Sequence, residues 1–408
     1  MRIIRSLLDL DFYKLTMCQF AFLLHRMVLV RYAFKNRTIK VALSKIVDAA
    51  EVRHQIEMVR KLRFRPEEIA YLRKSKYIPK GMFCEKFLKW LTNLALPEVT
   101  VEVVGDQLKI ETKGPWPVVI LWETLILSIV NELYYREMMK RRGFSEADVF
   151  IEGLHRLVSK IDILRANSYI TFIEFGTRRR FSHEWQELVI QVLKATVPGQ
   201  LIGTSNVYFA MKFDLKPIGT FAHELDMVYS GIYCGSDEEL RGSHNRVLEY
   251  WWNLYGAPLS IALTDTFGSK FFFEDMTKEQ AEKWKGLRQD SGDPIEFGEQ
   301  AIKFYKSHGI DPMTKLIVFS DGLDVFTIVK LAEHFKGRIN VTFGWGTNLT
   351  NDVGFDTLSL VVKAVEANGK PLVKLSDNLA KAMGPAKVVE RFKRVFGYTN
   401  TDSKECVV

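Results

Sequence analysis

Residues 169–180 read YITFIEFGTRRR: a short apolar run that breaks off in glycine, threonine and three arginines. A run of this length, rich in β-branched and aromatic residues and ended by turn residues, reads as a buried strand. An amphipathic stretch at 184–196 follows, and then the pattern repeats. The apolar runs are 169–175, 200–204, 218–222, 259–265, 286–290, 316–320 and 340–344. Helical stretches at 184–196, 237–255, 296–308 and 325–335 separate them. Alternation at this spacing predicts parallel strands joined by right-handed crossovers. Seven runs predict a barrel-like closure one strand short of eight, with an open doubly wound sheet as the alternative. No GxGxxG follows the first strand and no GxxxxGK[ST] occurs, so neither dinucleotide nor P-loop chemistry is signalled.

Outward from this core the texture is mixed. Residues 12–24 read as a helix, 29–35 alternate like a strand, and 47–62, 66–74 and 84–94 are helical with charged faces. Residues 99–112 (VTVEVVGDQLKIET) form a hairpin pattern around Gly105-Asp106. Gly114-Pro115-Trp116-Pro117 breaks the chain before an apolar helix reaching about Arg142, and Ser145 with Asp148 caps the next. Beyond the barrel, 358–367 and 370–376 flank Asn368-Gly369, a strong hairpin signal. Strand regions near both ends predict an accessory α/β domain from which the chain starts and to which it returns. The expected division is 1–140 for the N-terminal domain with its linking helices, 141–350 for the catalytic barrel, and 351–408 for the returning segment.

Composition bounds the function. The 408 residues are 47% hydrophobic and 26% charged, which excludes a disordered chain, a collagen and a disulfide miniprotein. The net charge of +8, from 57 Lys+Arg against 49 Asp+Glu, is spread along the chain. Without a basic arm or low-complexity tail it argues against nucleic acid and suits small polyanionic substrates. Cys18, Cys84, Cys234 and Cys406 are scattered, with no CxxC pair, as expected of reduced thiols in a cytoplasmic protein. The N-terminus carries a charge too early, and too short an apolar run, for a signal peptide. The greasiest segment, 117–130, holds Glu123 and is short for a membrane span, so it reads as a buried core helix.

In a parallel barrel the active-site groups sit on loops just after the strands. Here every run ends in Gly, Ser, Thr, Asp, Arg or His, more than turn chemistry alone requires. Arg178, Arg179 and Arg288 are fork donors suited to phosphate or diphosphate. Gly322, Gly344 and Gly346 would let backbone N–H groups approach a phosphate, with a helix N-terminus at about Val325. Asp290 and Asp293 would hold Mg2+ through water or bind ribose hydroxyls. His223, followed by Glu224 and facing the strand end at Asp265, would be a nucleophile oriented by a carboxylate. The plainer readings are surface ion pairs for the arginines, a structural histidine, a turn with a helix cap at 290–294, and a core Phe175.

Six segments, taken together and in order, resemble the nicotinate phosphoribosyltransferase family over nearly the whole chain. They are 8–17 (LDLDFYKLTM), 174–182 (EFGTRRRFS), 203–206 (GTSN), 219–224 (GTFAHE), 286–294 (GLRQDSGDP) and 374–377 (KLSD). The resemblance implies an incomplete seven-stranded α/β barrel of the type II phosphoribosyltransferase kind, with an α/β domain built from both termini. It implies a glycosyltransferase and ATP-coupled ligase of pyridine nucleotide and NAD biosynthesis, the Preiss-Handler route. Nicotinate, 5-phosphoribosyl 1-diphosphate and ATP would give nicotinate mononucleotide, diphosphate, ADP and phosphate, with Mg2+ as cofactor.

By the same resemblance, His223 is the phosphohistidine and Asp265 its supporting carboxylate, while Arg288 and Asp290 contact diphosphate and ribose. Phe175 stacks on the pyridine ring, and Tyr13, supplied across a homodimer interface, covers its other face. Thr177, Arg178 and Ser205 complete the ring site. Arg37, Arg179, Asp321, Gly322, Gly344, Gly346, Lys374 and Lys381 receive phosphates. Ser205 stands where nicotinamide-using relatives carry aspartate, and a hydroxyl beside arginine favours the acid over the amide. Trp345 is bulkier than the small residues usual in that glycine loop. The alternatives are a nicotinamide-using phosphoribosyltransferase, and a basic barrel protein that binds nucleotide or nucleic acid without turnover.

Overall fold

The computed structural model describes residues 2–400. Strands β1 (Leu29–Asn36), β2 (Thr100–Val104) and β3 (Gln107–Pro115) form in the first third of the chain. The alternation seen in the sequence of β1 is realised, with Val30, Tyr32 and Phe34 facing the core. The middle of the chain supplies β4 (Phe172–Glu174), β5 (Leu201–Thr204), β6 (Ile261–Leu263), β7 (Gly286–Gln289), β8 (Leu316–Phe319) and β9 (Asn340–Trp345). The chain then returns as β10 (Leu360–Ala367) and β11 (Lys370–Pro371).

Two sheets result. The first is antiparallel, in the order β11-β10-β1-β3-β2, so an early strand, β1, pairs with a late one, β10. The turn after β10 has Asn368 at φ 46° and Gly369 at φ 79°, the two positive values that a tight primed hairpin turn requires. The second sheet is parallel, in the order β5-β4-β9-β8-β7-β6, with helices as crossovers.

The third apolar run, 218–222, does not become a ladder strand. Pro217 makes a single parallel bridge to Thr204, with Ile218 N donating to Thr204 O at 2.9 Å. Thr220 Oγ1 donates to Ile261 O at 2.9 Å. The run thus spans the seam between the edge strands β5 and β6, and the barrel is incomplete there. Pro217 has no N–H to continue a ladder, and the N-terminal segment presses on the run. A Cβ on Gly219 would lie 3.1 Å from Tyr13 N. The second arm of the C-terminal hairpin is also shorter than its sequence pattern. After β11 the chain leaves the sheet, and Leu375 N donates to Thr266 O in the barrel at 2.9 Å.

The apolar segment 117–130 falls mostly in the helix Trp122–Arg142, which is buried from Trp122 to Tyr135. It is long and apolar enough to cross a membrane, yet it is a core helix of this fold. Its Glu123 pairs with Lys14 and, at 3.3 Å, with Lys363. Cys18, Cys84 and Cys234 are free thiols, and Cys406 lies outside the described residues.

The N-terminal segment is strapped across the barrel. Phe12 N donates to Ser205 O (2.7 Å), Val207 N to Leu10 O (3.0 Å) and Tyr208 N to Leu8 O (2.9 Å). Asp9 takes the Arg180 fork at 2.6 and 2.8 Å, with both side chains fully buried. Asn206 Nδ2 (2.8 Å) and His183 Nδ1 (3.1 Å) approach the same carboxylate. Burial opposes its charge, but Arg180 and His183 outweigh burial and hold Asp9 well below the usual carboxylate range. Arg180 is therefore no surface arginine. Asp9→Asn should cost about 3–5 kcal/mol, because it leaves the guanidinium buried without its counter-charge. Chemical denaturation of the variant and the parent chain measures this; a loss below about 1 kcal/mol would make the pair dispensable.

Candidate active site

The loops after the parallel strands open into one cleft, which β10, Arg37, Lys374 and Lys381 close. Most of the residues singled out in the sequence line it. Tyr13, Phe175, Arg178, Ser205, His223 and Arg288 do so, as do Asp290, Asp321, Gly322, Gly344 and Gly346. Arg37, Arg179, Lys374 and Lys381 face it as well.

The aromatic end is built by one chain. Tyr13 and Phe175 line the same cleft of one chain, and the strap that carries Tyr13 is bonded to its own barrel, where the family resemblance implies a partner's tyrosine. The Tyr13 hydroxyl is buried without a hydrogen-bond partner. The Arg178 guanidinium lies 6.0 Å from the Tyr13 ring centroid, 3.8 Å from Asp11 and 3.5 Å from Glu123. Phe175 packs on Gly344, where a Cβ would fall 2.5 Å from its ring. Gly344 is thus required by the aromatic ring. Trp345 points the other way, fully buried and edge-on to Phe172 at 5.6 Å, so its bulk leaves the cleft untouched.

Ser205 Oγ donates to Asp11 Oδ1 at 2.7 Å, so its proton is committed to a carboxylate that the sequence did not mark as a site residue. Burial raises the Asp11 carboxyl above its ordinary value, opposed by Arg178 and Ser205. Thr177 lies behind the wall, with Oγ1 accepting from Gln186 Nε2 (3.1 Å) and Asn206 Nδ2 (3.3 Å). It does not line the cleft.

His223 immediately precedes the helix Glu224–Ile232. Its Nε2 lies 2.9 Å from Asp290 Oδ2 and 2.9 Å from Lys374 Nζ; its Nδ1 lies 3.0 Å from Thr266 Oγ1. Burial, then Lys374, lowers it to about 4, so the imidazole is neutral at neutral pH. Asp265 is nearby but less close, 3.8 Å from Nε2. Its Oδ2 accepts from Ser291 Oγ (2.5 Å), while Oδ1 has no partner. Glu224 faces away from the ring of His223. It accepts from Lys14 Nζ (2.6 Å), Trp116 Nε1 (2.7 Å) and Tyr32 OH in the core, and so does not orient the histidine.

The remaining cations line the same cleft. Arg288 has an unpartnered Nε and approaches Asp290 at 3.9 Å. Burial, with Arg178 and Arg37 close by, lowers Arg179 to about 10. Lys381 pairs with Asp321 and donates to Asp290 O at 2.9 Å. Lys363, on β10, also lines the cleft, and burial lowers it to about 8. Among the alternating residues of a strand it carried no sequence signal of function. The helix Val325–Phe335 does not offer a bare N-terminus, because Asp324 accepts from Thr327 N at 2.7 Å and caps it.

The donor set for a divalent cation is narrower than the sequence implied. His223, Asp265 and Asp290 lie within 4.8 Å of one another, but Lys374 already stands among them. Asp290 faces the cleft beside Arg288, and its carboxylate fits Mg2+. Asp293 does not, since its carboxylate caps the helix Pro294–Ser307 through Ile295 N (2.8 Å) and Glu296 N (3.0 Å), outside this cleft.

The family model for the nicotinate phosphoribosyltransferase N-terminal domain matches residues 8–131, and the model for the nicotinate phosphoribosyltransferase family matches 170–400. Among solved structures, the chain is similar to nicotinate phosphoribosyltransferase from Vibrio cholerae, with 36% identity over 98% of this chain and 94% of that one, at a TM-score of 0.87. It is similar also to nicotinate phosphoribosyltransferase from Porphyromonas gingivalis, with 32% identity over 97% and 100% of the two chains, at a TM-score of 0.86. The matched residues run from the strap through the cleft to the returning strands, and on that ground the chain belongs to the nicotinate phosphoribosyltransferase family.

Proposed function

We propose that this chain joins nicotinate to 5-phosphoribosyl 1-diphosphate, releasing nicotinate mononucleotide and diphosphate, and couples that transfer to ATP through a phosphohistidine at His223. One observation carries the reading: His223 stands with its Nε2 2.9 Å from both Asp290 and Lys374 in the cleft that Arg288, Tyr13 and Phe175 also line.

In this reading Phe175 and Tyr13 hold the pyridine ring, and Arg178 supplies positive charge for its carboxylate. The ring nitrogen attacks ribose C1 with its free lone pair, and the C1–O bond breaks toward diphosphate. Positioning and charge neutralisation supply the rate, since the nitrogen needs no base. Arg288 stabilises the departing charge. Asp290 would hold Mg2+, which supplies further charge neutralisation at the diphosphate when bound. Arg37, Arg179 and Lys381, with the backbone at Gly322 and Gly346, receive the remaining phosphate. Phosphorylation of His223 adds about two negative charges beside Arg288 and Lys374, which reorganises their contacts to substrate. A cytoplasmic location fits the free thiols. The homodimer implied by the family would then be an assembly of whole sites, and the division at about residues 140 and 350 is the working domain partition.

A product assay offering nicotinate, nicotinamide and quinolinate in parallel, with and without ATP, tests the reading. Nicotinate mononucleotide should dominate and ATP should stimulate it; equal use of nicotinamide would reassign the substrate. His223→Ala should lose the acid-labile, base-stable label from γ-labelled ATP and retain slow, ATP-independent transfer. Label that persists in this variant would place the acceptor elsewhere. Because Tyr13 and Phe175 belong to one chain, mixing inactive Tyr13→Ala with inactive Phe175→Ala should restore no activity. Recovery on mixing would show a site shared between subunits.

A further inference from the structure

An imidazole accepts a phosphoryl group only at a nitrogen whose lone pair is free. The neighbours of Nε2 do not decide which nitrogen that is, because Lys374 Nζ can only donate and Asp290 Oδ2 can only accept, each at 2.9 Å. The decision falls on the other side of the ring. Nδ1 lies 3.0 Å from Thr266 Oγ1, and Thr266 Oγ1 donates to Asp226 Oδ2 at 2.7 Å. Asp226 is 1% exposed, in the first turn of the helix that follows His223. A carboxylate only accepts, so the single hydroxyl proton of Thr266 goes to Asp226. The Thr266 oxygen is then left to accept from Nδ1–H. Burial raises Asp226 to about 6, which leaves it a carboxylate at neutral pH. Neither Asp226 nor Thr266 lines the cleft.

We infer that Asp226 and Thr266 are positioning residues that hold His223 as the Nδ1–H tautomer and thereby select Nε2 as the nitrogen that takes the phosphoryl group. The inference rests on the proposed phosphorylation of His223. The P–N bond forms at Nε2 as the bond from the γ-phosphorus to the β,γ-bridging oxygen breaks. ADP leaves with that electron pair, and the ring proton stays on Nδ1 against Thr266. The ring becomes cationic without losing a proton, and its new charge lies between the Thr266–Asp226 pair and Asp265. Lys374, a donor to the free lone pair before transfer, is placed to donate to the phosphoryl oxygens afterwards.

The test uses the full chain with isotopically labelled histidine. Nitrogen NMR of the unliganded protein should show His223 protonated at Nδ1 and bare at Nε2. After ATP, phosphorus–nitrogen coupling should place the phosphoryl group on Nε2. Thr266→Val should slow single-turnover phosphorylation by roughly 10–100-fold, the loss typical of an orienting partner, with ATP affinity unchanged. Thr266→Ser keeps the hydroxyl and should restore the parent rate. Asp226→Ala should match Thr266→Val; if it fails to fold, the two Thr266 variants carry the test. A proton on Nε2 in the resting chain, a phosphoryl group on Nδ1, or Thr266→Val at the parent rate would each overturn the inference. Absence of label at His223 would overturn the ATP reading and the selection of Nε2 with it, and the resting tautomer tells the two failures apart.

Discussion

The buried pair between Asp9 and Arg180 fastens the N-terminal strap to the barrel, and much of the site follows from that join. Two opposite charges without solvent stay together because separating them would strand one in the core. The strap then lies against the barrel, delivers Asp11 and Tyr13 to the cleft, and pins the run at 218–222. On the barrel side, Arg180 is drawn inward, while its neighbours Arg178 and Arg179 remain at the cleft. A triplet of like residues is thereby divided into one structural and two cleft-facing members.

A second buried cluster joins elements distant in the sequence. Lys14 from the helix Phe12–Leu24, Glu123 from the core helix and Glu224 beside His223 meet without solvent, and Lys363 from β10 reaches Glu123 from the cleft. Glu123 is held well below its ordinary range, since Lys14, Lys363 and Arg178 together outweigh the burial that opposes its charge. The cluster is continuous with the cleft through Arg178, 3.5 Å from Glu123. The modest net charge of +8 therefore understates the local field: cations from distant parts of the sequence converge on a single cleft.

Much of this was legible in the sequence where a local rule decides the outcome. The β10 hairpin was readable because Asn368-Gly369 has a single favoured turn geometry, and the amphipathic helices because their period is unmistakable. What escaped depends on which way a side chain points. Glu224, next to His223, enters the core because helix geometry sends adjacent side chains in different directions. Gly344 serves the Phe175 ring, and Trp345 turns away because β9 alternates its faces. Asp293 and Asp324 were taken by helix caps. Lys363 and Asp11 reach the cleft only through pairings between distant segments, which no local pattern encodes. The run at 218–222 has a strand's composition, but Pro217 and the strap leave it no ladder to join.

The pairing of β1 with both β3 and β10 sets the order in which the chain can become itself. β3 is available early, yet the other edge of β1 waits for β10, and Leu29 N bonds to Asn368 Oδ1 across 339 residues of sequence. Until that late strand leaves the ribosome, the nascent chain carries an open edge lined by alternating Val30, Tyr32 and Phe34. Such an edge is a template for pairing with other chains, and closing so long a loop is slow. Synthesis of the last tenth of the protein is thus the step at which aggregation and folding compete, and a truncation before β10 would yield a sticky chain rather than a smaller enzyme.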